Sequence, residues 1–343
     1  MERCDIAIVG GGIAGLSMAK FLAEKGIPFI LFEEHTNFFM KPCGEGIIAR
    51  VLGYDFYDLY GSKEGIEKEV METNIHTKYG ILTLEMPIIM TDKKKIEAEF
   101  ARQAEKQGEI RMGEKVGDIK NGTLLPQKIK PKIIVGADGI FSIVRKYIGA
   151  KTPRCGIAIR AYSNEVELDD EKCHVIRRDD VVKYGYAWFF PKRKKWNIGI
   201  GSGKKKFFKA AYQKFRQENP NAFEWKGAYI PLDMPIKSYG KNAILIGDAA
   251  AHVSAAIGEG IMPSIIIAKI ASDFIEKAAK KDYKIDLSLY EKAWKEAIGR
   301  YLKRSYYLKI LFFSMIRSEY IRYKLLAKMC KEVTKYYRRI MKR

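Results

Sequence analysis

Cysteine is scarce in this chain and poorly placed for pairing. The 343 residues hold five, Cys4, Cys43, Cys155, Cys173 and Cys330. The set is odd and scattered, and no pair has zinc spacing, so neither a metal site nor a disulfide framework is expected. Proline stops at Pro263, and nothing of that kind interrupts a helix beyond it. Long apolar runs are missing too. The longest near the C-terminus, Ser305 to Ile316, is too short to span a bilayer and contains Lys309. No leader-like stretch precedes the first strand, and there is no internal repeat or low-complexity linker. These absences point to a reduced, cytoplasmic location.

Charge, by contrast, is abundant and of one sign. There are 62 Lys and Arg against 41 Asp and Glu, a net +21. It is uneven: from Leu287 to Arg343 sixteen basic residues face four acidic ones, a net +12. Such a tail can meet nucleic acid, a membrane surface or an acidic substrate. No nucleic-acid recognition module is visible, so nucleic acid is not expected as a partner. The length suggests about two domains, and 47% hydrophobic residues suffice for a real core.

The chain is organised around its start. A buried-type strand, Ile6 to Val9, runs into Gly10-x-Gly12-x-x-Gly15. A helix-like segment follows from Leu16 to Lys25, and an apolar run from Ile27 to Phe32 ends in Glu33-Glu34. This is the order of a dinucleotide-binding βαβ unit. The glycines allow a tight turn and close approach of a pyrophosphate to a helix N-terminus. Glu33 lies 23 residues after Gly10, where a ribose-binding carboxylate belongs.

Further on, a turn-rich loop covers Phe38 to Gly46, and a helix is expected from Ile47 to about Gly53. Runs at Thr73–Lys78 and Ile81–Met90 read as a sheet excursion. Asp92 to Gln107 reads as a helix that Gly108 could cap, and Asn121-Gly122 as a hairpin turn. Lys132 to Ser142 repeats the strand-to-glycine-turn theme. Short alternating runs between Thr152 and Pro235, interrupted by a helix at Lys204–Gln217, predict a mostly antiparallel second sheet. The chain returns at Asn242–Ala250, continues into a long helix from Ile261 to about Lys280, and ends in helices from Leu287 onward. Leu326, Met329, Val333, Tyr336 and Ile340 mark the apolar face of the last one. The predicted fold class is α/β. A discontinuous Rossmann-like domain of three-layer ββα type comprises residues 1–72, 91–150 and 236–282. A substrate sheet, 73–90 and 151–235, is inserted into it, and 283–343 is a basic helical segment.

Three glycine turns thus stand in order: Gly10-x-Gly12-x-x-Gly15; Gly136-Ala-Asp138-Gly139 with Ser142 and Arg145; and Gly247-Asp248-Ala249-Ala250. Together they resemble the FAD-dependent group that includes p-hydroxybenzoate hydroxylase, and the resemblance implies FAD as cofactor. It implies that Asp248 holds the ribityl and pyrophosphate region, and that Gly258, Gly260 and Ile261 bring backbone amides to the flavin ring. Ala14, Glu34, Asp138, Gly139 and Gly247 then belong to the same site.

Two further stretches narrow this, Lys41-Pro-Cys43-Gly44-Glu-Gly46 and Tyr184-Gly-Tyr186-Ala-Trp188-Phe-Phe-Pro191 followed by Asn197-Ile-Gly199-Ile-Gly201. Both resemble the geranylgeranyl reductase family, which includes archaeal digeranylgeranylglycerophospholipid reductases. That resemblance implies a Cys-Gly loop beside the flavin and a Tyr-x-Trp segment lining a prenyl channel.

The expected activity is FAD-dependent saturation of C=C bonds in prenyl chains of membrane lipids or isoprenoid quinones, with hydride from flavin N5 and a proton from a nearby donor. Strand alternation lets only one of the pairs Tyr186/Trp188 and Ala187/Phe189 face the ligand, and Tyr186 and Trp188 are the expected pair. Cys43 is the candidate for proton delivery or for packing beside the ring. His252 reads equally as an acid or as a structural histidine. The aromatic and basic tail reads either as a peripheral seat on the inner face of the membrane or as a helical cap. No second nicotinamide unit is visible, which leaves NAD(P)H, a ferredoxin or a deazaflavin as external donor. The alternatives are a flavin monooxygenase acting on a small aromatic and a non-catalytic FAD-bound protein.

Overall fold

The apolar runs assemble into two sheets. The structure, a computed structural model, describes residues 4–341. A six-stranded sheet is ordered Tyr239–Gly240, Ala243–Leu245, Ile133–Gly136, Ile6–Val9, Ile30–Glu33, Glu109–Met112. Its pairs are parallel except at the Tyr239–Gly240 edge. The central strand is apolar throughout because both of its faces are covered. Ile6 and Ile8 point to the side of the helices Ile13–Glu24, Lys93–Ala104 and Ile261–Ala279. Ala7 and Val9 point to the other side, where Ile119 and Leu124 of a small hairpin pack. Sheet, helices and hairpin are the three layers of the ββα arrangement. The hairpin turns at Asn121 and Gly122, both at positive φ, as a two-residue turn of this type requires.

The second sheet has eight strands, ordered Phe223–Pro231, Cys155–Ser163, Trp196–Ser202, Gly185–Pro191, Lys172–Ile176, Ile66–Thr77, Gly80–Thr91, Gly46–Ile48. The helix Lys205–Glu218 covers its outer face, with Phe208 and Phe215 against Ala161, Ala187, Ile198 and Ile200. The inner face turns toward the first domain. One internal pair, Lys172–Ile176 with Ile66–Thr77, is parallel.

Several expectations change. The helix expected from Ile47 is extended chain: Gly46–Ile48 pairs with Gly80–Thr91 and becomes the edge strand, and Arg50–Val51 folds back on Tyr54–Asp55. An open sheet edge beside two β-branched residues outweighs weak helix propensity there. The excursion placed at 73–90 is longer, since its strands are Ile66–Thr77 and Gly80–Thr91. Asp92 caps the next helix by accepting from the amides of Lys94 and Lys95, but Gly108 does not end it; the helix stops at Ala104. Gly108 instead makes room for the Phe29 ring, which a Cβ there would meet at 2.3 Å.

The C-terminal part is helical, as expected, with wide turns at Lys295–Gly299 and Leu311–Met315 and a break before Glu319–Met341. Residues 342 and 343, in the expected helix, lie outside the described residues. The buried stripe of that last helix uses Cys330 and Tyr337; Tyr336 is 45% exposed. The stripe packs on the protein's own Gly80–Thr91 strand: Thr334 Oγ1 accepts from Glu85 N at 3.0 Å, and the Tyr337 hydroxyl donates to Arg50 O. Among the described residues no helix is long and apolar enough to cross a membrane. Cys43, Cys155, Cys173 and Cys330 are free thiols.

Candidate functional site

All three glycine turns reach one cleft of about 430 Å3 between the two sheets. Its wall includes Gly10, Gly12, Ala14, Glu33, Glu34, Asp138, Gly139, Asp248, Gly258, Gly260 and Ile261, with Cys43 and Gly44 opposite. Gly15 and Gly247 stand behind this wall. A Cβ on Gly15 would lie 1.9 Å from Gly10 O, and one on Gly247 would lie 2.7 Å from the Ala14 methyl.

The wall has the features a dinucleotide needs. No side chain caps the helix that starts at Ile13, and its first turn carries no acid. A Cβ on Gly12 would meet no protein atom within 4 Å. Free amides and open space together form a pyrophosphate cradle. Glu33 stands at the edge of the turn, its Oε2 accepting from Gly11 N at 2.6 Å and its Oε1 from His35 N at 3.0 Å. Glu34 is more exposed and pairs with Lys115 at 2.7 Å. Asp138 uses Oδ2 to accept from Ile143 N and Val144 N, while its buried Oδ1 has no protein partner. Burial pushes this carboxyl above its ordinary value. An unsatisfied oxygen in a cleft wall calls for a ligand hydroxyl. Asp248 reaches across to Lys41 of the cysteine loop. These features fit FAD.

His252 resolves to the structural reading. It is fully buried, edge-on to Trp294, and neither ring nitrogen has a partner. Burial drops its pKa to about 3, so it is neutral, and it takes no part in the cleft wall.

A titrating group that the sequence reading passed over lies between Gly258 and Gly260. Glu259 buries its carboxyl at the start of the Ile261–Ala279 helix, where Oε1 accepts from Met262 N at 2.8 Å and Oε2 has no partner. Burial raises its pKa from 4.5 to about 7, with the helix amides opposing. The folded state therefore keeps a proton that the unfolded chain releases, and this contribution to stability fades as pH rises from about 4.5 to about 7. Glu259→Gln is expected to flatten that slope and to raise stability above pH 7 by about 3 kcal/mol at most. Urea unfolding at pH 5 and pH 8 checks this; identical pH profiles for the two proteins would contradict it.

A second cavity of about 250 Å3, also largely apolar, shares Ala158, Trp188, Ile230 and Gly258 with the first. Its wall includes Ile157, Tyr186, Leu232, Ile310 and Phe313. Tyr186 and Trp188 face the cavities, whereas Ala187 and Phe189 turn to the outer helix, Phe189 against Phe215. The Tyr186 hydroxyl donates to Ile257 O, and burial raises its pKa to about 12. Trp188 lies flat because residue 199 is glycine: a Cβ there would come within 2.1 Å of the indole. Cys43 Sγ accepts from Glu45 N at 3.4 Å. Burial pushes this thiol up, against the opposing pull of Lys93, so it is a protonated thiol at neutral pH rather than a nucleophilic thiolate.

Behind the cysteine loop lies a polar core absent from the sequence reading. Glu45, 1% exposed, has a positive φ of 60°. Its Oε1 accepts from Lys192 Nζ at 2.8 Å and Lys93 N at 3.1 Å; Oε2 accepts from the Tyr162 hydroxyl at 2.7 Å and Asn197 Nδ2 at 2.9 Å. The available signal was a glutamate set between two glycines, Gly44 and Gly46.

A ββα nucleotide domain with an inserted sheet roofing its cleft defines an FAD-binding oxidoreductase scaffold. The chain belongs to the FAD binding domain family, whose profile matches residues 3–226, and it is an FAD-dependent oxidoreductase with FAD as its cofactor. A digeranylgeranylglycerophospholipid reductase of Methanocaldococcus jannaschii is 27% identical over 337 residues, covering 87% of this chain and 84% of that one. Among solved structures, a geranylgeranyl bacteriochlorophyll reductase-like protein of Thermoplasma acidophilum superposes with a TM-score of 0.83 at 20% identity, covering 97% and 92% of the two chains. The p-nitrophenol 4-monooxygenase of Pseudomonas putida shares the fold with a TM-score of 0.74 at 14% identity, covering 98% of each.

Proposed function

We propose that this protein saturates C=C bonds in the prenyl chains of membrane lipids, with isoprenoid quinones as the other candidate acceptors. The observation that carries this reading is the largely apolar cavity that adjoins the FAD cleft and shares Trp188 and Gly258 with it. An isolated C=C bond offers no polar handle, so it must be held by apolar walls against the reductant. The names of the curated relatives point the same way. Arg154, Lys204 and Lys309 stand in the wall of the same cavity, a setting for an anionic headgroup.

When bound and reduced, FAD supplies a hydride equivalent to one carbon. The chain's own residues supply the rest. Trp188, Tyr186, Ile230 and Phe313 hold the prenyl chain and exclude water. The Cys43 thiol gives its proton to the second carbon and recovers one from solvent, with Lys93 beside it to offset the transient negative charge.

Reducing equivalents come from an external donor, NAD(P)H, a ferredoxin or a deazaflavin. The protein works on the cytoplasmic side of the membrane as a peripheral protein. The exposed Tyr307, Met315, Tyr320 and Ile321 lie among the basic residues of its C-terminal helices, and they form the seat on an anionic bilayer.

The test is anaerobic. The dithionite-reduced flavoprotein is mixed with a geranylgeranyl lipid, and flavin reoxidation is followed by stopped flow. Rapid reoxidation is expected. Silence with lipid but rapid oxygen consumption with a small phenol would support the monooxygenase reading instead. Cys43→Ala is expected to slow reoxidation about 100-fold while FAD stays bound. Unchanged turnover would remove Cys43 from the mechanism.

A further inference from the structure

Asn197 is the last residue before Ile198 and Gly199 on the strand beneath Trp188, and it is fully buried. Its amide is fully committed. Nδ2 donates to Cys43 O at 2.9 Å and to Glu45 Oε2 at 2.9 Å, and Oδ1 accepts from Trp188 Nε1 at 3.0 Å. Only this orientation of the amide works, because a flip would set its N–H groups against the indole N–H. One side chain thus ties the backbone of the cysteine loop to the indole that divides the two cavities.

Glu45 supports that tie from behind. A non-glycine residue at φ 60° is strained and persists only where its surroundings hold it. Here they do: Glu45 O accepts from Thr91 N and Thr91 Oγ1, both at 3.0 Å, and the carboxylate takes four donors. The charged groups around it are Lys192 and Lys93, then Glu67 facing Lys192, Glu97 facing Lys93, and Arg160 over the Tyr162 ring. A buried ionic network is weak support for stability, since apolar residues of similar volume often serve as well. What such a network does supply is a single geometry.

We propose that Asn197, backed by the Glu45 carboxylate, is a positioning residue that holds Cys43 and Trp188 in one fixed relation at the cleft wall. It acts through its neighbours rather than on substrate. The inference rests on the roles given to Cys43 and Trp188 above, but its test does not require turnover.

The experiment measures alkylation of Cys43 by iodoacetamide in the full-length holoprotein, resolved by peptide mass spectrometry. Cys155, which lies in the second cavity outside the network, serves as the internal control. Asn197→Ala is expected to raise Cys43 labelling about tenfold relative to Cys155, because the loop loses its anchor while FAD content is retained. Glu45→Gln keeps the shape but loses the charge; it is expected to give a smaller rise in the same direction, and it carries the test if Asn197→Ala does not fold. With a prenyl acceptor, kcat is expected to fall about tenfold with KM nearly unchanged, the mark of lost orientation rather than lost binding. Unchanged Cys43 labelling in folded, flavin-loaded variants would overturn the proposal. If the wild type reduces no prenyl chain yet the labelling contrast is present, the positioning role stands and the functional reading fails.

Discussion

Gly15→Ala is expected to yield a protein that retains no FAD. The added methyl would lie 1.9 Å from Gly10 O and 3.3 Å from the Ala137 methyl. The first of these is backbone, in a turn followed directly by the helix, so no side chain can rotate away. Relief requires the Ile13–Glu24 helix to back off from the strand end, and that displaces the uncapped amides that face the cleft. Overpacking of this kind costs about 1–3 kcal/mol, and the loss of geometry at the cradle comes on top. Gly12→Ala is the control. Its methyl meets no protein atom, so the fold should be kept while the methyl intrudes where the pyrophosphate approaches. Visible flavin absorbance after gel filtration, with the melting temperature of each apoprotein, separates the two. A Gly15→Ala protein that is yellow and melts like wild type would contradict the cradle.

Lys192→Met is expected to destabilise the protein by about 3–5 kcal/mol, the usual result of stranding one partner of a buried ion pair. Lys192 is 7% exposed and donates to Glu45 Oε1 at 2.8 Å and Thr91 O at 2.9 Å. Without it Glu45 keeps its neutral donors but loses its nearest cation. Adding Glu45→Gln to Lys192→Met should recover part of the loss, since the stranded charge is gone. Urea unfolding of the single and double variants gives both numbers. A loss below about 1 kcal/mol in the single variant would mean that the pair is solvated and the network is not a brace.

The nucleotide half was legible because its signals are local. Ile6 to Glu33 encodes strand, turn, helix and strand in one continuous stretch, and Asn121-Gly122 and Asp92 mark a hairpin and a helix start by their own backbone chemistry. The extended conformation of Ile47 and Ile48 was not legible, because it is set by a partner strand some forty residues away. The parallel pairing of Lys172–Ile176 with Ile66–Thr77 is longer in range still. In the last helix, Tyr336 and Tyr337 both fit an apolar stripe by spacing, and only contact with the Arg50 carbonyl decides for Tyr337.

At the site the same division holds. Glycines, acids and the Tyr186-x-Trp188 pair could be found by motif and strand period. The Glu45, Lys192, Tyr162 and Asn197 cluster could not, because its members come from three separate segments and meet only through tertiary packing. The basic tail shows a related limit. Its apolar stripe read equally as a seat on lipid or as a helical cap, and it packs on the Gly80–Thr91 strand. Any membrane seat must therefore use the exposed aromatic and aliphatic residues around Met315 to Ile321.

In the proposed reaction the apolar cavity presents a prenyl double bond to the FAD cleft. The most direct test is mass spectrometry of the lipid recovered from an anaerobic single turnover with the reduced flavoprotein. A gain of about two hydrogens per double bond is expected, matched mole for mole by oxidised flavin. Lipid recovered unchanged from an enzyme that keeps its reduced flavin would contradict it.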